Sequence, residues 1–204
     1  MLFGPRLFQY LGHVLTADGI GIGEDRMKAI VNLPTLKTSK ALRSAQGMVV
    51  FVRKFILDLA GQLAPLVALT KTEAVNEVAK RWGPEQNKAQ ANVKLLLTQA
   101  PVQKFPDLSR DFVMHVDVSE AGAGASLAQH KCEDLAIIAY NSDRFNDSQR
   151  YYPATLKGCC AVVRAIQQCR PCRWGRQSVC VTDHSAQRYL YSMQDTSHML
   201  TRGR

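Results

Sequence analysis

The chain has 204 residues, 46% of them apolar and 21% charged, enough to bury one ordinary core or two small ones and too apolar for disorder to be the default. It holds no uncharged apolar run of about eighteen residues, and Met1 to Tyr10 is broken by Pro5, Arg6 and Gln9, so we expect neither a membrane span nor a secretory leader but a soluble intracellular protein, cytoplasmic or nuclear. The formal charge of +9 is uneven: +7 over residues 1–110, −4 over 111–140 and +6 over 141–204. An acidic stretch between basic flanks suits a nuclease, whose flanks attract phosphate while its carboxylates hold divalent metal.

In chain order, Leu7 to Thr16 is a short apolar stretch interrupted by Gly12-His13 and closed by Asp18-Gly19, which predicts a strand or hairpin edge. Glu24 to Leu33 places Met27, Ile30 and Val31 at helical spacing, with acidic residues in its first turn and Pro34 beyond its end. A second helix starts near Ser39 and sets Leu42, Ala45, Val49, Val52 and Ile56 on one stripe, leaving Arg43, Arg53 and Lys54 outward. Gly83-Pro84 opens a third, in which Ala89, Val93, Leu96 and Leu97 repeat until Pro101.

After Pro106 the period becomes that of strands. Phe112 to Val118, Gly122 to Gln129 and Leu135 to Tyr140 read as three consecutive strands joined by short turns. Pro153 to Gln168 predicts a helix with Leu156, Cys159, Cys160, Val163 and Ile166 inward. Ser178 to Thr182 is a fourth strand and His184 to Tyr191 a short helix. The expected fold class is therefore α/β (mixed α+β): a small helical unit followed by a β, β, β, α, β, α layer. All six cysteines lie in the second half, at 132, 159, 160, 169, 172 and 180, and are expected as reduced thiols, several of them in the core.

The motifs fall in the order seen in gypsy-type retrotransposon polyproteins. Tyr10-Leu11-Gly12-His13 resembles the family's YLGH block, and Leu42-Arg43-Ser44, Gly47 and Arg53-Lys54-Phe55-Ile56 resemble its LRSFLGLxxYYRRFI helix. Ala64-Pro65-Leu66, Trp82, Ala100-Pro101-Val102 and Phe105-Pro106-Asp107 follow in the same order. Val116-Asp117-Val118-Ser119 resembles the TDAS strand, Gly122-Ala123-Gly124-Ala125 the GIGAVL strand and Thr182-Asp183-His184 the TDH block. Each match is weak alone; together they run in register over most of the chain. The resemblance implies a residual edge of a polymerase palm at 1–21, a thumb or connection-like helical region at 22–98 and a truncated RNase H-like domain at 99–204. The family's YxDD polymerase motif would lie upstream, and the sequence contains no Asp-Asp pair, so DNA synthesis by this chain alone is not expected.

Enzymes of the RNase H kind cut the RNA strand of an RNA:DNA hybrid with two Mg²⁺ ions held by carboxylates. By resemblance, Asp117 and Asp183 are the first and third of four such carboxylates, at once catalytic and metal-binding. The pattern YSTTEKELLAVV aligns without a gap on Tyr152 to Val163 and puts Gly158 at the catalytic Glu. Glu120, in the turn after the first strand, is a poor substitute, and the fourth carboxylate would belong to a helix beyond Arg204. Magnesium binding is thus expected to be impaired. Nucleic-acid contacts are expected from Arg43, Arg53, Lys54, Arg150, Arg176 and His184, with RNA:DNA hybrid and its phosphate backbone as the partner, the remaining polyprotein domains as further partners and no membrane. Cys169, Cys172, Cys180 and His184 form a rival zinc-ligand set, weighed against by the core and strand positions of its cysteines. The favoured reading is a catalytically impaired nucleic-acid-binding fragment; the alternatives are a working two-metal RNase H endonuclease and a domesticated interaction module.

Overall fold

The computed structural model describes residues 7–36, 38–70, 77–120, 122–131, 134–173, 176 and 178–183. The chain divides into two compact units, Met1–Phe105 and Pro106–Arg204. The mixed α/β class expected from the sequence is the one observed.

The first unit opens with a three-stranded antiparallel sheet, β1 (Leu7–Tyr10), β2 (His13–Thr16) and β3 (Gly19–Ile22), in that spatial order. Tyr10 pairs with His13 across a two-residue turn in which Leu11 has φ 48° and Gly12 φ 78°, the mirror-image turn whose twist suits a hairpin. Glycine tolerates that conformation, whereas leucine there costs roughly 1–2 kcal/mol. Helix α1 (Glu24–Val31) carries acidic residues at its start, and α2 (Ser39–Phe51) is capped by Thr38, whose Oγ1 accepts the amide of Ala41 at 3.2 Å.

The expected long stripe of the second helix is interrupted. Helix α2 ends at Phe51 and a 3-10 turn, Arg53–Phe55, follows, yet Leu42, Ala45, Val49, Val52 and Ile56 are all buried. Helices α3 (Leu59–Thr70), α4 (Glu77–Arg81) and α5 (Pro84–Thr98) complete the unit. Gln103, which the sequence reading attached to the second region, belongs to the first: it bridges Ile20 through the backbone, and its side-chain amide donates to the carbonyl of Lys54.

The second unit is a four-stranded sheet, β4 (Phe112–Val118), β5 (Gly122–Lys131), β6 (Asp134–Arg144) and β7 (Ser178–Thr182), in the order β6-β5-β4-β7. The first three strands are antiparallel neighbours and β7 runs parallel to β4. A short helix, α6 (Asp147–Arg150), precedes the long α7 (Ala154–Arg173), which packs on β4, β5 and β6. Phe112, Met114, Val116, Ala125 and Leu127 share one buried cluster with Ala161, Ala165 and Cys169. The expected inward face of this helix is corrected in part by that packing: Cys159 is buried and Ile166 packs against the cluster as expected, and the other positions are not buried. Gly158, Cys159, Ala161, Ala165 and Cys169 are its buried residues, whereas Leu156, Cys160, Val163 and Ile166 are only partly covered. Small side chains let the helix settle closely on the sheet, so volume rather than hydrophobicity selects the contact face. On the opposite face Val179 and Val181 remain exposed.

Candidate nuclease site

Strand register decides which residues meet. The parallel pairing of β4 with β7 runs from Phe112↔Ser178 to Val116↔Thr182, and one further step sets Asp117 beside Asp183. Both carboxylates are exposed and, by strand alternation, both point away from the face covered by α7. One oxygen of Asp117 accepts the amide of Val118 at 2.8 Å.

At this end of the sheet the turn from β4 to β5 is closed by Ser119, whose amide donates to the Gly122 carbonyl at 2.9 Å and whose Oγ accepts the Gly122 amide at 3.2 Å. A Cβ at Gly122 would lie 2.3 Å from the carbonyl oxygen of Asp143, so the approach of β6 requires glycine there. Glu120 is exposed in this turn.

Helix α7 reaches the same end with its first turns. Ala161 and Arg164 line a space with Ala123 and Asp143, while Cys169, farther along the helix, meets Asn141. The helix therefore runs away from the carboxylate end, and Gly158, one turn before Ala161, lies at that end on the sheet-facing stripe. Farther in, Asp143 accepts from Gln168 at 2.6 Å and pairs with Arg164 at 3.6 Å. That carboxylate faces α7 and is committed to it.

The structure thus brings Asp117, Asp183 and the Gly158 position to one end of the sheet. Glycine supplies no oxygen ligand, and among the described residues no group of three His, Cys, Asp or Glu converges. Two carboxylates are half of the four that the resemblance implies for holding a pair of Mg²⁺ ions.

The basic candidates separate. Arg150 ends α6, just past the carboxylate end of β6, and is exposed. Arg144 and Lys157 lie at that end too, Lys157 with its Nζ 5.9 Å from the Phe145 ring; sequence reasoning passed over both, and the register that pairs Arg144 with Gly122 is the signal that finds them. Arg176 precedes the first residue of β7, at the far end of the sheet, about 17 Å away along the strand. In the first unit, Arg43 is exposed and donates to the Thr70 carbonyl at 3.2 Å, Arg53 is exposed, and Lys54 has its Nζ 5.1 Å from the Phe55 ring. His184 lies outside the described residues, as do Cys132 and the expected helix from His184 to Tyr191.

Of the rival zinc set, Cys169 is buried and accepts from Asn141 at 2.9 Å. Burial, with Cys172 adding to it, pushes its thiol up to about 11. A thiolate ligand needs the opposite shift. Cys172 is partly buried and Cys180 lies within β7.

The architecture is that of an RNase H-like layer with a helical unit before it. Residues 82–180 match the family described as an RNase H-like domain found in reverse transcriptase. The chain is 30% identical over 195 residues, 96% of its length, to the retrovirus-related Pol polyprotein from transposon 297 of Drosophila melanogaster. It is 29% identical over 193 residues, 95% of its length, to the Pol polyprotein from transposon 412 of the same organism. It spans only 18% and 15% of those two relatives. Among solved structures it resembles a foamy viral protease-reverse transcriptase in complex with RNA/DNA hybrid, at TM-score 0.76 and 18% identity over 97% of this chain and 27% of that one. The same viral protein in complex with dsDNA matches at TM-score 0.76 and 18% identity, over 97% of this chain and 41% of that one. At that identity the likeness establishes the fold.

Proposed function

We propose that the chain is a gypsy-type reverse transcriptase fragment that binds nucleic acid, RNA:DNA hybrid above all, through its phosphates, and that its RNase H site is impaired. One observation supports the reading: Asp117 and Asp183 lie at one end of the sheet, and at the same end the position that the resemblance gives to the second carboxylate is Gly158. Arg144, Arg150 and Lys157 lie at that end with positive charge, so the hybrid's backbone can be held there. The foamy viral proteins of the same fold were solved with RNA/DNA hybrid and with dsDNA, which supports the choice of ligand. Magnesium, in this reading, is a cofactor of the ancestral site that this chain holds weakly, and the partners of the chain beyond nucleic acid are the remaining polyprotein domains.

Binding of this kind releases counterions and so weakens steeply with salt. The expected affinity for a labelled hybrid falls by roughly tenfold or more between about 50 and 200 mM monovalent salt, and Arg150→Ala reduces the log–log slope by about one. Fluorescence anisotropy measures both. An affinity indifferent to salt, or no binding at the lowest ionic strength, sinks the reading.

A different expected outcome separates the metal alternatives. Elemental analysis of the purified chain should find no stoichiometric zinc, because Cys169 is buried and already accepts a hydrogen bond from Asn141. About one zinc per chain would replace the fragment reading with a zinc module.

A further inference from the structure

The β1–β2 hairpin of the first unit is held by a set of contacts that share one titratable group. The ring of His13 stacks on Phe51 with centroids 4.9 Å apart and planes 11° from parallel, and it tilts against Phe55 at 5.7 Å. The Arg26 guanidinium lies 4.1 Å from the centre of the same Phe51 ring and presses on Gly12, where a Cβ would come within 2.7 Å of its Nε. The Gly12 carbonyl accepts the amide of Gly23 at 2.9 Å. Outward from this anchor the hairpin shows water an apolar surface, with Leu7, Phe8, Tyr10 and Leu11 all more than half exposed.

The surroundings of His13 favour the neutral ring. Its Nδ1 is buried without a hydrogen-bond partner. In the neutral imidazole with its proton on Nε2, that atom is an unpaired acceptor; protonation would place an N–H of a charged ring there facing no acceptor, which costs more. Tyr10 stands opposite on β1 and Ile22 opposite on β3. The charged groups that act on the ring from α1 and from the 3-10 turn are Arg26 and Lys54, both positive. Burial first, then Lys54 and Arg26, hold the His13 pKa below its ordinary 6.5.

We propose that His13 is a proton-operated latch: neutral, it clamps the tip of the β1–β2 hairpin to α1 and α2, and protonated, it lets that tip go. The released chain binds the proton more tightly than the clamped one, so the clamp is at full strength above pH 6.5 and weakens as pH falls through the depressed value. Because β2 stays paired to β3, release frees β1 and the Leu11-Gly12 turn rather than the whole sheet, and it changes how the apolar tip is presented to whatever it meets.

The test is amide exchange by NMR on the full chain, with Gly23 N–H as reporter because its acceptor is the Gly12 carbonyl. After correction for intrinsic rates, its protection should fall by about threefold or more between about pH 7.5 and 5, and should stay level in His13→Phe, which keeps the stack and removes the titration. The His13 ring itself should titrate below 6.5, and Lys54→Gln should raise that midpoint. The proposal is overturned if the midpoint lies at or above the ordinary value, or if His13→Phe loses protection in acid as the parent does. Should His13→Phe fail to fold, the Lys54→Gln midpoint decides the matter alone, an unmoved value counting against the latch.

Discussion

Gly158→Glu should raise cleavage of a labelled RNA:DNA hybrid in Mg²⁺ by on the order of tenfold or more over the parent, whose own rate should not exceed that of an Asp117→Asn blank. The parent presents two carboxylates at one end of the sheet, and the position that the resemblance gives to a further ligand, Gly158, lies at that end on α7. Reach matters here. Asp117 and Asp183 point away from the face that α7 covers, so a ligand on α7 must extend around the end of the sheet. Glutamate has the extra methylene for this and aspartate lacks it, so Gly158→Asp should gain less. Glycine inside a helix also costs about 1 kcal/mol against alanine, so the carboxylate change should not lower stability through propensity. Adding a tail of the family's pattern to Gly158→Glu should do more than either change alone. A parent that already cleaves well above the blank refutes the impaired site and points to Glu120 or another group completing it.

The strands that carry the site were legible almost to the residue, and the reason is their periodicity. Phe112 to Val118 is apolar on one face, with Phe112, Met114, Val116 and Val118, and mixed on the other, and Ser178 to Thr182 is a compact β-rich run between Arg-rich and Asp-His segments. The expected first and third carboxylates could therefore be placed at strand ends before any register was known. What sequence could not give was the sheet-facing side of α7, because the contact there is made by Gly158, Ala161 and Ala165, residues too small to stand out in a hydrophobic pattern. Helix α3 was missed for a related reason. Gly61 and Pro65 lie inside it and read as breakers, yet Leu59, Leu63, Leu66 and Leu69 are buried on its inner face, and tertiary packing overrides propensity. Strand β3 was hidden by its own composition, Gly-Ile-Gly-Ile, which carries few side chains to signal a strand. The separation of Arg176 from Arg150 could be seen only from topology: they are neighbours in charge and lie at opposite ends of one sheet.

Gln46→Leu should stabilise the first unit by about 1–3 kcal/mol, the usual penalty for a buried polar atom without a partner, which for a unit of this size raises its melting temperature by roughly 5–15 °C. Gln46 belongs to the inner side of α2, between Ala45 and Val49, and its Nε2 is buried with no hydrogen-bond partner. It lines a small apolar cavity of about 20 Å³ with Ile30, Leu42, Leu63, Leu66 and Val93, which is room for one water at most and offers that water few polar contacts. The gypsy pattern LRSFLGLxxYYRRFI, laid on Leu42, has Phe and Leu where this chain has Ala45 and Gln46. Changes of these two residues toward that pattern should differ in sign. Leucine fits the volume of the glutamine side chain and removes only the stranded amide. Ala45→Phe adds a phenyl ring several times larger than the cavity and should cost about 1–3 kcal/mol through overpacking. Thermal and urea denaturation of the full chain, followed by a probe in the helical unit, measures both changes. If Gln46→Leu is neutral or destabilising, the amide has a partner, and the cavity beside it is not the defect that these two substitutions in the core of the helical unit would leave.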